Sequence, residues 1–316
     1  MAVTGPDADV LEAAAAAADA PAQRTHTGPL LVAGEDSDYV RGVLHVAELL
    51  ARRDRVNAHV LGVVRPLALP VALVADLDRE ALEDARRRTH LERLRQRLSQ
   101  ATGLAAFFTV EAVTGSPAPS LARAARERGS ELIMVGLEDP GGQHRTATED
   151  AALQVTRAAD TPVLAVPASY GLLPKNAVVA MDFSPASQRA ARSVIPLLAR
   201  SARLTLAYVE PDVDFAALGK KGWADVHQHG VAQLFERLSA SLAVPGDVSV
   251  ETVLLRGGDP ATVLLGHVRA GDFDLIATGT QGQTPLDLHL TGSVSTALLR
   301  GARCAVLIAP PPEVAP

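Results

Sequence analysis

The sequence has few of the residues on which several classes of protein depend. Its single cysteine, Cys304, cannot form an internal disulfide, which excludes a disulfide scaffold. Cys304 lies in an apolar run, so we expect a buried, inert thiol and a reducing compartment, the cytoplasm. Aromatic residues make up 3% of the 316 residues. Alanine, valine and leucine must therefore fill the interior, which is typical of parallel strands packed against helices.

Basic residues and long apolar stretches are also scarce. The net charge is -6, whereas nonspecific nucleic-acid binding requires a basic surface, so no nucleic-acid partner is expected. The apolar stretch 67–75 is short and interrupted by Pro70, and no stretch reaches the ~20 apolar residues of a membrane span. Met1 to Thr27 has acidic residues where a signal peptide requires positive charge. That segment is predicted to be a flexible arm or a frayed helix, and not a signal peptide.

Glycine marks one distinctive segment, Gly279 to Ser295, with the sequence GTQGQTPLDLHLTGSVS. Its first two glycines are followed by nine residues and then by Gly292 and Ser293. Glycines let the backbone turn and let an anion approach main-chain N–H groups, and a helix starting at Ser293 would direct its positive end at the same anion. The spacing differs from the Walker A and GxGxxG motifs. The segment predicts a phosphate cradle; the alternative is an ordinary strand, loop and serine-capped helix.

The second half of the sequence repeats the first. Val113 to Ala118 aligns with Arg256 to Ala261 at an offset of 143, and the same offset places Gly136 on Gly279. Near the start of each copy the offset is 147. A repeat of this length indicates a duplicated domain.

Each copy has the order βαβαβαβαβ, with strands too apolar to alternate. This order predicts a doubly wound α/β fold with helices on both faces of a parallel sheet. We therefore predict two repeated domains, each a five-stranded, mainly parallel sheet flanked by helices. The predicted limits are an arm at 1–27, domains at 28–168 and 177–311, a linker at 169–176 and a tail at 312–316. Because ligands bind such sheets where the strand order switches, Asp182 and Gly279 are expected side by side.

Three segments of the second copy resemble the nucleotide-binding class of universal stress proteins. They are VVAMDFS at Val178 to Ser184, AYVEP at Ala207 to Pro211 and the glycine spacing that begins at Gly279. The resemblance covers both copies, and it implies the adenine nucleotide alpha hydrolase-like fold. It also implies ATP held without a catalytic group in a stress-responsive module. The implied contacts are Asp182 and Val209 to adenosine, Ala180 and Gly279 along the ribose, and Gly282, Gly292, Ser293 and Val294 to the phosphates.

The cradle loop departs from the family pattern. Residues 283–291 contain no basic residue except His289, and they contain Asp287. Either the triphosphate is held less tightly, or a metal ion such as Mg²⁺ supplies the missing charge. No catalytic or metal-ligating set of recognised spacing is present. The alternatives to a binding module are a slow ATPase or nucleotidyl-transfer enzyme, and a nucleotide-free scaffold.

The first copy lacks the cradle. At the offset of 143, the positions of Gly282, Gly292 and Ser293 are occupied by Asp139, Glu149 and Asp150. We predict that Glu149 and Asp150 lie at a helix N-terminus, where their carboxylates fill the anion site and repel phosphate. The first copy is therefore expected not to bind ATP, while Gly141 and Gly142 leave open a different ligand.

Two further positions follow from the repeat. Glu35 occupies the place of Asp182 when Ser37 is paired with Ser184. The last strands of the two copies, Val163 to Val166 and Val306 to Ala309, could pair with each other or with another chain if they lie at sheet edges. We therefore expect a pseudo-dimer within the chain and a homodimer through these terminal strands.

Overall fold

The computed structural model describes residues 25–67, 78–102, 107–210, 223–280 and 292–312. The first domain contains β1 (Leu30–Gly34), α1 (Val40–Asp54), β2 (Ala58–Val64), α2 (Arg79–Ala101), β3 (Phe108–Thr114), α3 (Pro117–Arg128), β4 (Leu132–Leu137), α4 (Arg145–Ala158) and β5 (Val163–Pro167). The second domain contains β6 (Asn176–Met181), α5 (Pro185–Val194), a 3-10 turn (Ile195–Leu197), β7 (Arg203–Glu210), α6 (Trp223–Ser241), β8 (Ser249–Arg256), α7 (Pro260–Ala270), β9 (Leu275–Gly279), α8 (Ser293–Gly301) and β10 (Ala305–Ala309).

The strands form one ten-stranded sheet in the order β3-β2-β1-β4-β5-β10-β9-β6-β7-β8. Neighbouring strands within each domain are parallel, which confirms the predicted fold class. Leu30 pairs with Leu132, and Ala177 pairs with Leu275 in the same way. This register reproduces both sequence offsets, so the two copies are equivalent in three dimensions as well as in sequence.

The domains join through their terminal strands. β5 and β10 pair antiparallel, with Val306 opposite Ala165 and Leu307 opposite Leu164. The predicted pairing of these strands with each other is confirmed. The homodimer predicted through the same strands is wrong, because β5 lies between β4 and β10 and β10 lies between β5 and β9. Neither strand has a free edge for a second chain.

The sheet separates two cores, and each core runs through both domains. Leu30 and Val32 of β1 point into the core beneath α1, α2, α5 and α6, which we call the α1 face. Leu31 and Ala33 point into the core beneath α3, α4, α7 and α8, the α3 face. Cys304 is buried on the α3 face, and burial raises the pKa of its thiol to about 12. Among the helices within the described ranges, none is long and apolar enough to cross a membrane.

A buried ion pair ties the first domain to the second. The Nδ1 atom of His26 lies 2.8 Å from the carboxylate of Asp54, at the end of α1, and Arg53 Nε donates to the same carboxylate at 2.5 Å. The Asp54 side chain is fully buried. Arg53 also donates to the carbonyl oxygens of Pro196 and Leu198 in the 3-10 turn of the second domain. The end of α1 therefore contacts both domains.

This arrangement predicts an acid-dependent loss of stability. Burial alone would raise the pKa of the Asp54 carboxyl, but hydrogen bonds from His26 and Arg53 outweigh it and hold the pKa below its ordinary value. We expect Asp54→Asn to be less stable than wild type by about 1–3 kcal/mol at pH 7. The difference in stability between wild type and Asp54→Asn should shrink as the pH falls from ~3.9 through the lowered pKa of Asp54. At such pH values the Asp54 carboxylate of the folded wild type is protonated as well.

Thermal midpoints measured from pH 7 to pH 3 test this expectation. The matched control is Asp160→Asn, which removes an ion pair with Arg126 whose two side chains are both more than half exposed. The control should shift the midpoint little at any pH. A difference between wild type and Asp54→Asn that stays constant down to pH 3 would contradict the assignment.

Candidate functional site

The structure brings the ends of three neighbouring strands together. In the second domain β6 lies between β9 and β7. Asp182 directly follows β6, Val209 is the penultimate residue of β7, and Gly279 ends β9. Since the three strands are parallel, these residues lie along one carboxyl edge of the sheet, at the switch in strand order. Gly282 lies outside the described residues.

Three of the apolar residues assigned to the site share one face. Ala180 is buried on the α3 face, and Val209 and Val294 pack against the same core. Val294 belongs to the first turn of α8, which places the start of that helix on the same side of the sheet as the ends of β6 and β7. These three residues therefore lie on the same face of the sheet.

Asp182 is held in a fixed orientation. Its carboxylate accepts the N–H of Ser184 at 3.0 Å and the hydroxyl of Ser184 at 2.6 Å. Ser184 caps α5, because its Oγ accepts the N–H of Ser187 at 3.2 Å. Asp182 thus lies one turn before the helix and is partly exposed at the sheet edge. A carboxylate there accepts hydroxyl or amine donors.

Phe183 shows a strain that the sequence did not indicate. Its φ is +61°, in the left-handed region that costs a residue other than glycine about 1–2 kcal/mol. Its ring packs on Tyr208 at 5.6 Å and on Phe235 at 5.0 Å between ring centroids. These contacts on the α1 face anchor the turn that presents Asp182.

Gly279 has a packing role. A Cβ at this position would lie 2.7 Å from Cβ of Ala186 and 2.8 Å from the N atom of Ser187, so α5 approaches the end of β9 only because the side chain is absent. In the first domain a Cβ on Gly136 would lie 2.8 Å from the carbonyl oxygen of Tyr39. The packing of each domain's first helix explains why this glycine is kept in both copies.

Gly292 leaves the start of α8 without a side-chain cap. Its N–H donates to the carbonyl oxygen of Thr280 at 2.7 Å, and a Cβ would lie 3.0 Å from that oxygen. Gly292 is the N-cap residue, and it has no side chain to accept the first N–H groups of α8. Ser293 is exposed at this position. Among the residues that the structure describes, no side chain caps the positive end of α8.

The first domain fills the equivalent position with a different carboxylate from the one predicted. α4 begins at Arg145, so Glu149 and Asp150 lie in its second turn and cap nothing. The prediction for these two residues is wrong, because the chain folds into helix about one turn earlier than the repeat implied. Glu138 instead accepts the N–H of His144, the residue that precedes α4. An internal carboxylate still occupies the start of the helix.

Arg145, which pairs with Glu149, and Asp150 make contacts between the domains. Glu149 accepts Nε of Arg145 at 2.5 Å, and both side chains are buried. Arg145 also donates to the carbonyl oxygens of Leu299 and Ala302, each at 3.3 Å, at the end of α8. A positive charge at the C-terminal end of a helix interacts favourably with the helix dipole and stabilises the helix. Asp150 pairs with Arg300 at 3.1 Å.

Comparison with known proteins identifies the family. The model of the universal stress protein family matches residues 27–167 and, separately, residues 174–310. The chain belongs to the universal stress protein family. It is a tandem member, with one family domain on each side of the antiparallel strand pair. The family resemblance inferred from the residues of the second copy is thereby confirmed.

Relatives of this universal stress protein agree with the assignment. Universal stress proteins of Mycobacterium tuberculosis and Mycobacterium bovis are 26% identical to it over 204 residues, which cover 63% of this chain and 68% of theirs. The crystal structure of a universal stress protein from Archaeoglobus fulgidus matches with a TM-score of 0.63 at 17% identity, covering 90% of this chain and 99% of that one. A putative universal stress protein from Pseudomonas aeruginosa matches at 0.58 and 15%, covering 90% and 93%. These structures share the fold.

Proposed function

We propose that the second domain binds ATP without turning it over and acts as a nucleotide-responsive stress module. The observation that carries the proposal is the start of α8, where Gly292 provides no side-chain cap and Ser293 is exposed among the described residues. The same position in the first domain is occupied by the carboxylate of Glu138. The contrast supports an external anion at α8, because an orphan helix start attracts phosphate.

The surrounding residues suit the remainder of the nucleotide. Asp182 would accept hydrogen bonds from the ribose or the adenine amine, and Val209 and Ala180 would provide an apolar surface for the base and sugar. Ser293 and Val294 would place their N–H groups on the phosphates. Gly282, which belongs to the family's cradle spacing, completes the proposed set.

The proposal includes Mg²⁺ only as a companion of the nucleotide. Among the described residues no group of three or more His, Cys, Asp or Glu side chains is placed to hold a metal ion. Mg²⁺ is commonly bound through substrate phosphates and water. Ser293 and Val294 at the start of α8 are uncharged, and so is Thr280, whose carbonyl oxygen accepts the N–H of Gly292. None of these three side chains supplies an acid or base for phosphate transfer.

Calorimetry with ATP, with and without Mg²⁺, tests this function. Ser293→Asp introduces the residue that the first domain has at the position equivalent by the repeat, Asp150. The variant should weaken ATP binding roughly 10- to 100-fold, because the added carboxylate repels phosphate at the helix start. The reciprocal change, Asp150→Ser, is the matched control and should leave ATP affinity unchanged. Absence of ATP binding by the wild type would reject the proposal. Steady phosphate release by wild type that Ser293→Asp abolishes would replace the binding module with an ATPase.

A further inference from the structure

The turn that carries Asp182 is strained, and its counterpart in the first domain is not. The backbone of Phe183 is left-handed, with φ at +61°. At the offset of 147 the equivalent residue is Asp36, whose φ is not positive. Backbone strain persists only where the surrounding structure holds it in place, and it clusters at functional sites. At this turn the strain is confined to the copy that is proposed to bind ATP.

Aromatic rings hold this turn in place. The chain has six phenylalanines and three tyrosines, and two of the former and one of the latter meet here. The ring of Phe183 contacts Tyr208 of β7 and meets Phe235 of α6 edge-on, an arrangement that aromatic pairs favour. We call these three residues the aromatic clamp. Gln188 Nε2 also donates to the carbonyl oxygen of Phe183 at 3.0 Å, so both the ring and the backbone of Phe183 are held.

The first domain has no aromatic side chain at two of the clamp positions. Asp36, at the place of Phe183, is exposed. Gly62 takes the place of Tyr208 in the strand register. A Cβ on Gly62 would lie 2.5 Å from Cδ1 of Leu94, so an aliphatic side chain fills that space. The duplicated chain therefore keeps a carboxylate at the end of the first strand in both domains, but it clamps the following residue in one.

The clamp and the ligand-facing residues lie on opposite faces of the sheet. All three clamp residues pack in the core of the α1 face. Val209 and Val294 pack on the α3 face. Asp182 lies at the sheet edge between these faces, and the N–H and the hydroxyl of Ser184 hold its carboxylate. The clamp can therefore influence a ligand on the α3 face through the direction of the Asp182 carboxylate.

We propose that Phe183 is a positioning residue that makes the second domain selective for ligands containing a nucleoside. Its strained turn directs the Asp182 carboxylate at the ribose or the base, whereas the phosphates bind at the start of α8. The choice of ATP as the ligand rests on the proposed function, and the fixed direction of Asp182 rests on the clamp. Loosening the clamp therefore weakens recognition of the nucleoside and leaves recognition of phosphate intact.

Calorimetry on the full chain, with ATP and with inorganic tripolyphosphate, tests the inference. Phe183→Gly removes both the ring and the strain. It should weaken ATP binding about tenfold or more, the range for a hydrogen bond to a charged group, and change tripolyphosphate affinity less than about twofold. Phe183→Leu, which keeps an apolar side chain, is a second variant with the same expected direction. Phe183→Tyr keeps the ring and should retain the ATP affinity of the wild type.

The matched control is Leu242→Ala, just beyond the end of α6. Leu242 is buried in the same core as the clamp. The control removes packing from that core and should leave both affinities unchanged. Circular dichroism reports whether each variant keeps the wild-type fold.

A double-mutant cycle separates positioning from packing. In an Asp182→Asn background, Phe183→Gly should cause no further loss of ATP affinity, because the residue acts through a carboxylate that is no longer there. If the losses in the double variant add, or if ATP and tripolyphosphate affinities fall together, the inference is overturned and Phe183 is a core residue.

Amide hydrogen exchange without any ligand separates this inference from the proposed function. The N–H of Ser184, which donates to Asp182, should exchange faster in Phe183→Gly than in the wild type and in Leu242→Ala. If the wild type binds no ATP, the proposed function fails, and faster exchange at Ser184 still supports the positioning of the carboxylate by Phe183. Unchanged exchange at Ser184 would overturn the inference whether or not ATP binds.

Discussion

Replacing Arg145 with methionine is expected to destabilise the protein by about 3–5 kcal/mol, the range for breaking a buried ion pair. The substitution leaves the buried carboxylate of Glu149 without its cation. It also removes donors from the carbonyl oxygens of Leu299 and Ala302 at the end of α8. Methionine keeps most of the side-chain volume, so the effect reports charge and hydrogen bonds more than packing. Urea unfolding followed by circular dichroism measures the change in midpoint.

Two controls separate charge from position. The double variant Arg145→Met with Glu149→Leu buries no unpaired charge and should recover a large part of the lost stability. Arg300→Met removes the ion pair with Asp150, in which both side chains are about half exposed, and should cost less than about 1 kcal/mol. If Arg145→Met lies as close to wild type as Arg300→Met does, Arg145 does not hold the domains together as inferred.

Gly42→Ala is expected to destabilise the protein by about 3 kcal/mol, although helix propensity favours alanine over glycine by about 1 kcal/mol. Gly42 lies within α1, where a Cβ would lie 2.1 Å from the carbonyl oxygen of Pro167 and 2.9 Å from that of Tyr170. Both obstacles are backbone atoms, so no side chain can rotate away. The helix would have to move off the end of β5 and the segment that follows it.

The matched control is Gly266→Ala in the middle of α7. A Cβ there meets nothing within 4 Å. Only the higher helix propensity of alanine then acts, and it should stabilise the protein by about 0.5–1 kcal/mol. Thermal midpoints of the two variants should therefore move in opposite directions from the wild type. Movement in the same direction would show that the close approach at Gly42 does not limit the packing of α1.

Most of the fold could be predicted from the internal repeat of the sequence. Apolar strands repeated at offsets of 143 and 147 predicted two parallel sheets, because strand pairing in a doubly wound domain follows from element order. The start of α4 was not predictable in this way. Aligning Gly292 with Glu149 assumed that the loop before the last helix has the same length in both domains. In the first domain the helix begins earlier, directly after His144, and Glu138 is the carboxylate at its start.

Other features of the site have no local signal in the sequence. Arg145 contacts Leu299 across 154 residues, and no spacing rule links two such positions. The left-handed backbone of Phe183 could not be predicted either, since that conformation is usually adopted by glycine or asparagine. Gly279 was assigned to the ribose, but glycine serves close packing and ligand approach alike. The structure shows the packing with α5, and the ligand contact remains a proposal.

The antiparallel join between β5 and β10 fixes the direction in which each domain faces. Strands of the first domain run opposite to those of the second, so their carboxyl edges lie at opposite ends of the sheet. Ligands at the two edges would be exposed to separate surroundings, and a partner docked over one would leave the other uncovered. α8 runs between these ends, with its start beside the proposed ATP site and its last turn against Arg145. The molecule therefore has two poles, and an assembly that bridged them would contact a different domain at each.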